Sequence, residues 1–143
     1  MKYFSALIVF LFVVSLAAQD QVLIFSDSPD SDYYDASWGF ANSPSLLTMA
    51  GSGGNKYAVG SENTYEGAHS LLLEWTSASG GDWGIAVAAD GWTAYNYTLY
   101  DSIVYWINGP AAVSQNALPD LCLEDLSNQK SGRVWIGNYI DSV

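Results

Sequence analysis

Basic residues are scarce in this sequence of 143 residues, which has 4 lysines and arginines against 15 acidic residues and a formal net charge of -11 at pH 7. A surface this negative repels nucleic-acid phosphates and anionic lipid headgroups. The composition therefore argues against nucleic acid and membrane surfaces as partners. It favours neutral molecules, or cations such as calcium.

Cysteine and histidine each occur once, as Cys122 and His69. A single cysteine forms no internal disulfide, so packing or a bound metal must hold the domain together, and we interpret Cys122 as a buried thiol. A lone histidine with no serine or cysteine at a recognisable nucleophile elbow argues against triad chemistry. Without a His or Cys cluster, the metal that suits the sequence best is calcium, which takes oxygen ligands.

Long apolar runs are confined to the N terminus. Met1-Lys2-Tyr3 precedes an apolar stretch from Phe4 to Leu16, and the small residues Ala17 and Ala18 follow. This pattern predicts a signal peptide over residues 1–18, cleaved after Ala17 or Ala18, because the apolar run is shorter than the ~20 residues of a spanning helix. We expect a secreted or cell-surface protein with no membrane span after cleavage; a permanent anchor is the alternative.

The remainder, residues 19–143, reads as one all-β domain. Apolar residues alternate with polar ones in short runs, and clusters of Gly, Asn, Asp and Ser separate the runs. The pattern predicts a jelly-roll β-sandwich of about eight strands. The chain ends directly after a strand, so we expect a sandwich that is incomplete at its C terminus and is followed by further domains of the same polypeptide. The predicted strands are 22–25, 46–50, 56–59, 69–76, 83–88, 102–108, 118–124 and 132–139.

Alternation also divides each strand into two faces. We expect one face to form the core, and the other to carry two tryptophans, two carboxylates and an arginine. Exposed aromatic residues in a monomer usually mark an interaction surface. The predicted core residues are Leu71, Leu73, Trp75, Trp83, Ile85, Val87, Ile103, Tyr105, Ile107, Leu121, Leu123, Val134 and Ile136; the opposite faces carry Glu74, Trp106, Glu124, Arg133 and Trp135.

Three segments of the chain form an ordered set of motifs. They are Phe25-Ser26-Asp27 followed by Tyr34-Asp35-Ala36-Ser37-Trp38-Gly39, then Tyr65-Glu66-Gly67-Ala68-His69-Ser70-Leu71, then Leu99 to Gly109. In this order they resemble the galactose-binding-like β-sandwich domains of bacterial carbohydrate-binding modules. The first is similar to the first strand and Ser-Trp turn of that family, the second to the Gly-x-x-Ser-Leu entry into a core strand, and the third to a later strand with a central aromatic-Trp pair. The resemblance covers most of residues 22–141; the family usually continues with two further strands, which this sequence does not include.

The resemblance implies a neutral glycan as ligand. Aromatic rings stack on the apolar face of a pyranose, while carboxylates, amides and guanidinium groups bind its hydroxyls. An alternative is that the rings pack within the sandwich. The candidate ligand-binding residues are Trp106, Trp135, Glu74, Glu124 and Arg133 on the strands, with Trp38, Trp92 and Tyr95 on the loops.

The resemblance also implies a structural calcium between the N-terminal strand and the loop before the Gly-x-x-Ser-Leu segment. The oxygen-bearing candidates are Asp27, Glu62, Asn63 and Glu66, with the backbone at Gly67. An ordinary solvated acidic loop is the alternative.

The function predicted from the sequence is a non-catalytic carbohydrate-binding module of a larger secreted protein. The first alternative is a structural or adhesive β-sandwich of a cell-surface protein. A small glycosidase is the second, with Glu74 and Glu124 as the facing carboxylates that such an enzyme needs.

Overall fold

A computed structural model describes residues 21–109 and 113–140 of the chain. The predicted signal peptide lies outside the described residues. Across the described ranges the protein consists of short antiparallel strands and single 3-10 turns, which confirms the all-β prediction. None of the helices in these ranges is long and apolar enough to cross a membrane.

In the described residues the strands form four small antiparallel sheets. The largest has the order β1-β5-β4, with β6 also paired to β5; the others are the pairs β2-β8, β3-β7 and β9-β10. The bounds are β1 Tyr33–Tyr34, β2 Ser37–Asn42, β3 Leu46–Leu47, β4 Met49–Ala50, β5 Lys56–Gly60, β6 Ser70–Leu71, β7 Trp75–Thr76, β8 Asp82–Val87, β9 Asp120–Leu121 and β10 Val134–Trp135. The 3-10 turns are Asp90–Trp92, Tyr97–Leu99, Gln115–Ala117 and Ile136–Asn138.

The core lies where β1, β5 and the start of β2 meet. Tyr34, Ala36, Tyr57 and Val59 are buried together there, and apolar side chains from the neighbouring segments pack against them. These packing residues are Phe25, Leu71, Leu73, Ile85, Val87 and Ala88. The prediction that Leu71, Leu73, Ile85 and Val87 contribute to the core is therefore confirmed.

Ser37 joins β2 to β5 through its side chain. It is fully buried, and its Oγ donates a hydrogen bond to the Tyr34 carbonyl and accepts one, 2.7 Å long, from the Tyr57 backbone N–H. A buried backbone N–H costs free energy when it has no partner. The small polar side chain at the start of β2 thus satisfies a donor of β5 and keeps the two strands in contact.

Several predicted strands differ from the structure. Residues 22–25 form no strand. The Ile24 carbonyl accepts a hydrogen bond from the Tyr34 hydroxyl instead, and Phe25 packs edge-on against the Tyr34 ring. The predicted strand 46–50 is split at Thr48, whose N–H donates to the Glu74 carbonyl. The predicted strand 69–76 is likewise split into β6 and β7, and residues 132–139 form only β10 and a 3-10 turn.

The core prediction was wrong for the C-terminal half of the domain. Residues 102–108 form no strand and lie at the surface, where Ile103, Tyr105 and Ile107 are exposed. Leu121, Leu123 and Val134 are also exposed. Alternation creates two faces on a strand, but one face is buried only when a second layer covers it. In the described residues no second layer covers these segments.

Candidate functional site

The outer face of the β2-β8 ribbon carries two aromatic rings side by side. The register places Trp38 opposite Ala86, Phe40 opposite Gly84 and Asn42 opposite Asp82. Alternate residues of paired strands share a face, so these six residues lie on one surface. We call this surface the Trp38 face: Trp38, Phe40, Asn42, Asp82, Gly84 and Ala86.

The rings of the Trp38 face lie beside small residues. The centroids of Trp38 and Phe40 are 5.6 Å apart, with ring planes at 35°, and Trp38 is 49% exposed. A Cβ atom on Gly84 would come within 2.9 Å of Cε1 of Phe40, so the Phe40 ring lies directly over the glycine backbone. The Phe40 ring can pack against the β2-β8 ribbon because Gly84 has no side chain.

Polar groups stand at one end of the same face. Asn42 and Asp82 are paired across the strands and both are exposed. One oxygen of Asp82 accepts a hydrogen bond from the Trp83 N–H at 2.8 Å, which fixes the carboxylate close to its own backbone. Aromatic surface next to an amide and a carboxylate is the combination that binds the apolar face and the hydroxyls of a sugar.

Two other predicted ligand-binding residues lie on the loop after β8. Trp92 is 47% exposed, and the Lys56 ammonium lies 6.0 Å from the centroid of its ring. The same ammonium forms an ion pair with Asp35 at 3.1 Å. Tyr95 is exposed, and its ring lies 6.3 Å from that of Tyr97.

The structure gathers Glu124, Arg133 and Trp135 into the β9-β10 hairpin. Glu124 lies 3.6 Å from the Lys130 ammonium, and Arg133 lies 3.9 Å from Asp120, so each charged group faces an opposite charge of the same hairpin. The indole N–H of Trp135 donates to the Leu118 carbonyl at 3.1 Å. Its ring lies so close to Gly137 that a Cβ atom there would be 2.5 Å from Cζ2.

The last two predicted ligand-binding residues, Trp106 and Glu74, belong neither to the Trp38 face nor to the β9-β10 hairpin. Trp106 is 68% exposed and stacks on Tyr65, with the ring centroids 4.2 Å apart and the planes at 16°. Glu74 lines an open depression on the β3-β7 pair, together with Leu46, Leu47, Thr48, Trp75 and Thr76.

Sequence reasoning missed Phe40, Asn42 and Asp82 as neighbours of Trp38. The signal was available in the alternation of Trp38, Phe40 and Asn42, which is the pattern of one strand face. Ser37, Gly39 and Asn42 of the same segment are residue types common in turns, so the sequence did not predict strand β2.

Asp27 holds the loop that precedes β6. Its carboxylate accepts hydrogen bonds from the backbone N–H groups of Ser28, Ala68 and His69, at 2.8, 3.0 and 2.9 Å. The His69 ring Nδ1 lies 3.1 Å from Oδ1 of the same carboxylate. The hydrogen bonds from Ala68 and Ser28 are the largest causes that lower the pKa of Asp27 to about 2.

The structure therefore brings two of the five predicted calcium-binding residues together. Gly67 adopts a φ of 74°, and a Cβ atom there would lie 2.6 Å from Cγ of Asp27. The N–H donors occupy mainly Oδ1 of Asp27; Oδ2 accepts only the bond from Ala68. In residues 21–109 and 113–140, no group of three or more His, Cys, Asp or Glu residues is arranged to hold a metal ion. Glu62, Asn63 and Glu66 lie in the exposed part of this loop or beside it.

Comparisons with protein-family models, curated proteins and solved structures gave no match.

Proposed function

We propose that this protein is a non-catalytic carbohydrate-binding module that holds a neutral glycan on the Trp38 face. The observation that carries the proposal is the pair of rings, Trp38 and Phe40, 5.6 Å apart on one strand beside Gly84 and Ala86. Small residues on the adjacent strand leave the apolar surface open to a flat ligand. Two neighbouring rings suit two successive pyranose units better than a single compact solute.

The charge of the protein supports a neutral ligand. The chain has a formal net charge of -11, and Asp82 stands at the end of the Trp38 face. A glycan that carries carboxylates or sulfates would be repelled by this field, whereas hydroxyl groups donate hydrogen bonds to the carboxylate. We therefore place uncharged polysaccharides and oligosaccharides first among the ligands.

The same proposal includes the type of domain, its export and a structural calcium. The protein is a galactose-binding-like domain of jelly-roll type, exported by residues 1–18, that forms part of a larger secreted protein. The antiparallel ribbons around a small aromatic core support the sandwich, and the apolar run before Ala17 supports export. A structural calcium would use Oδ2 of Asp27 with Glu62, Asn63 and Glu66, and would supply positive charge to an acidic loop.

Affinity electrophoresis on neutral polysaccharides tests the glycan site. The protein should be retarded, Trp38→Ala and Phe40→Ala should lose the retardation, and Tyr139→Ala should keep it. Tyr139 is 75% exposed and lies outside every candidate surface, so it controls for the loss of an exposed ring. Retardation that is unchanged in Trp38→Ala would overturn the site.

A structural or adhesive module of a cell-surface protein is the second candidate. It is favoured by the exposed apolar residues at the 99–107 segment, among which Leu99 and Val104 are 86% and 81% exposed. A folded protein that no neutral glycan retards, but that associates through this segment, would support the adhesive role.

A further inference from the structure

We propose that Asn96 is a site of N-linked glycosylation, at which the side-chain amide nitrogen accepts an oligosaccharide from a lipid-diphosphate carrier. The proposal rests on the proposed export of the chain, because glycosylation at Asn-x-Ser/Thr triplets is a modification of secreted proteins. It is independent of glycan binding at the Trp38 face. The sequence, the exposure of the triplet and the hydrogen bonds of the Asn96 side chain support it.

One triplet of the sequence has the pattern of an acceptor. Residues 96–98 read Asn-Tyr-Thr, and no other Asn-x-Ser/Thr triplet occurs in the sequence. The middle residue of an acceptor triplet must not be proline, and here it is Tyr97. The residue that follows the triplet is Leu99, so proline is absent there as well. The chain therefore offers one acceptor, and we expect at most one oligosaccharide per molecule.

The triplet lies at the surface, in a segment without strands. Asn96 and Thr98 are exposed and Tyr97 is half-buried. Asn96 has extended backbone angles, with φ at -83° and ψ at 100°, and it directly precedes the 3-10 turn Tyr97–Leu99. A bulky, hydrophilic oligosaccharide is compatible with the fold only at a position that folding leaves in contact with solvent. Asn96 meets this requirement.

The hydrogen bonds of Thr98 fix which side of the Asn96 amide faces away from the turn. The N–H and the hydroxyl of Thr98 both lie next to Oδ1 of Asn96, at 3.1 and 2.7 Å, and both donate to it. A backbone N–H only donates, so the amide oxygen must face the turn and Nδ2 must lie on the opposite side. The hydroxyl that the triplet requires is therefore already in contact with the amide that would be modified.

The transfer is a substitution at the first sugar of the carrier. Nδ2 of Asn96 attacks the anomeric carbon, so that a carbon–nitrogen bond forms while the bond from that carbon to the diphosphate oxygen breaks. The lipid diphosphate leaves with the electron pair of the broken bond. Nδ2 loses one of its two protons and becomes a substituted amide. The protein supplies the acceptor, and a membrane-bound oligosaccharyltransferase with its lipid-diphosphate-linked oligosaccharide supplies the rest.

An oligosaccharide at this position would begin beside a group of tyrosine rings. Tyr95 is 45% exposed, and the ring of Tyr97 lies 6.3 Å from the rings of both Tyr95 and Tyr100. The apolar face of a pyranose stacks on such rings, and the rest of the oligosaccharide is hydrophilic. Glycosylation of Asn96 would thus cover aromatic surface that the fold leaves exposed.

Cell-free translation of the full chain with microsomes tests the site. Cleavage of residues 1–18 and protection from added protease report export, and a slower-migrating band that peptide N-glycosidase removes reports the oligosaccharide. The enzyme leaves aspartate at position 96, which peptide mass spectrometry identifies. We expect the native chain to be exported, to carry one oligosaccharide and to lose the slower band after this treatment.

Four variants identify the acceptor. Asn96→Gln and Thr98→Val should be exported without the oligosaccharide, because the first removes the acceptor asparagine and the second removes the hydroxyl while keeping the shape of the side chain. Thr98→Ser should keep the modification. Asn116→Gln is the matched control and should behave like the native chain, since Asn116 is also exposed and lies in a 3-10 turn but is followed by Ala-Leu.

Export and glycosylation fail in different ways in this assay. An exported native chain without the slower band would overturn the site, and so would a slower band that Asn96→Gln retains. A full chain that is neither cleaved nor protected would contradict the proposed export. Residues 19–143 behind the signal peptide of an established secreted protein then test Asn96 alone, and a chain that is exported in this way without the oligosaccharide would also overturn the site.

Discussion

The carboxylate of Asp27 closes over Gly67, with its Cγ 2.6 Å from the position that a Cβ atom on residue 67 would occupy. Gly67 also has a φ of 74°, a conformation that other residues adopt at a cost. The N-terminal segment and the loop before β6 are therefore joined at a point that only glycine fits. This contact explains how a segment without strand pairing is held beside the core.

Gly67→Ala should weaken this junction. The backbone conformation alone costs about 1–3 kcal/mol for a residue with a side chain, and the overlap with Asp27 adds to it. We expect a lower free energy of unfolding in urea and faster proteolysis before Phe25. Gly54→Ala is a suitable control, because it has a similar φ of 60° but no heavy atom within 4 Å of the added Cβ. Equal losses in the two variants would show that backbone strain alone is responsible.

Acid should loosen the same junction. The pKa of Asp27 is lowered to about 2 by the N–H groups of Ala68, Ser28 and His69, from an ordinary value of 3.8. A carboxyl whose pKa is lower in the folded state stabilises the fold above the unfolded pKa, and this contribution is lost as the pH falls from about 4 to about 2.

Asp27→Asn should therefore remove part of the pH dependence of stability in that window. Thermal unfolding of both proteins at several pH values measures the difference. Glu74→Gln is the control, since Glu74 is exposed and, among the described residues, no backbone N–H donates to its carboxylate. Profiles of Asp27→Asn and native protein that run parallel between pH 4 and 2 would contradict the role of Asp27.

The sequence predicted the all-β class of the fold and part of the core. Strand β5 and the inner residues of β8 were predicted because both runs combine strong β-formers with turn signals at their ends. Strand β2 was missed because Ser37, Gly39 and Asn42 are turn formers by composition, yet the pairing with β8 overrides their local preference.

The candidate site was predicted only in part, for a physical reason. Trp38 was expected to bind ligand from a loop, and the structure places it on a strand face with Phe40. Which residue stands across from Trp38 depends on the strand register, and the register depends on long-range pairing that a single run of sequence does not contain. The ion pairs of Glu124 and Arg133 within one hairpin depend on pairing in the same way.

Calcium should raise the melting temperature if Glu62, Asn63, Glu66 and Oδ2 of Asp27 hold it, because a ligand that binds only the folded state stabilises that state. Glu62→Gln with Glu66→Gln should abolish the response, and Glu74→Gln should preserve it. Differential scanning calorimetry with calcium, with magnesium and with a chelator at constant ionic strength separates binding from screening. A melting temperature that is the same with calcium and with chelator would contradict the proposal that the protein binds calcium.

Trp106 and Trp135, both predicted to bind glycan, should behave differently when truncated to alanine. Trp135 is half-buried, bonded to the Leu118 carbonyl and packed on Gly137, so its loss should destabilise the hairpin by up to ~3 kcal/mol. Trp106 is 68% exposed and its ring stacks on Tyr65, so its loss should cost at most ~1.5 kcal/mol. Urea unfolding and affinity electrophoresis on the same variants distinguish a role in glycan binding from a role in packing. Glycan retention that falls in Trp106→Ala at unchanged stability would mark Trp106 as part of the binding surface, whereas retention lost only in proportion to unfolding would mark it as packing.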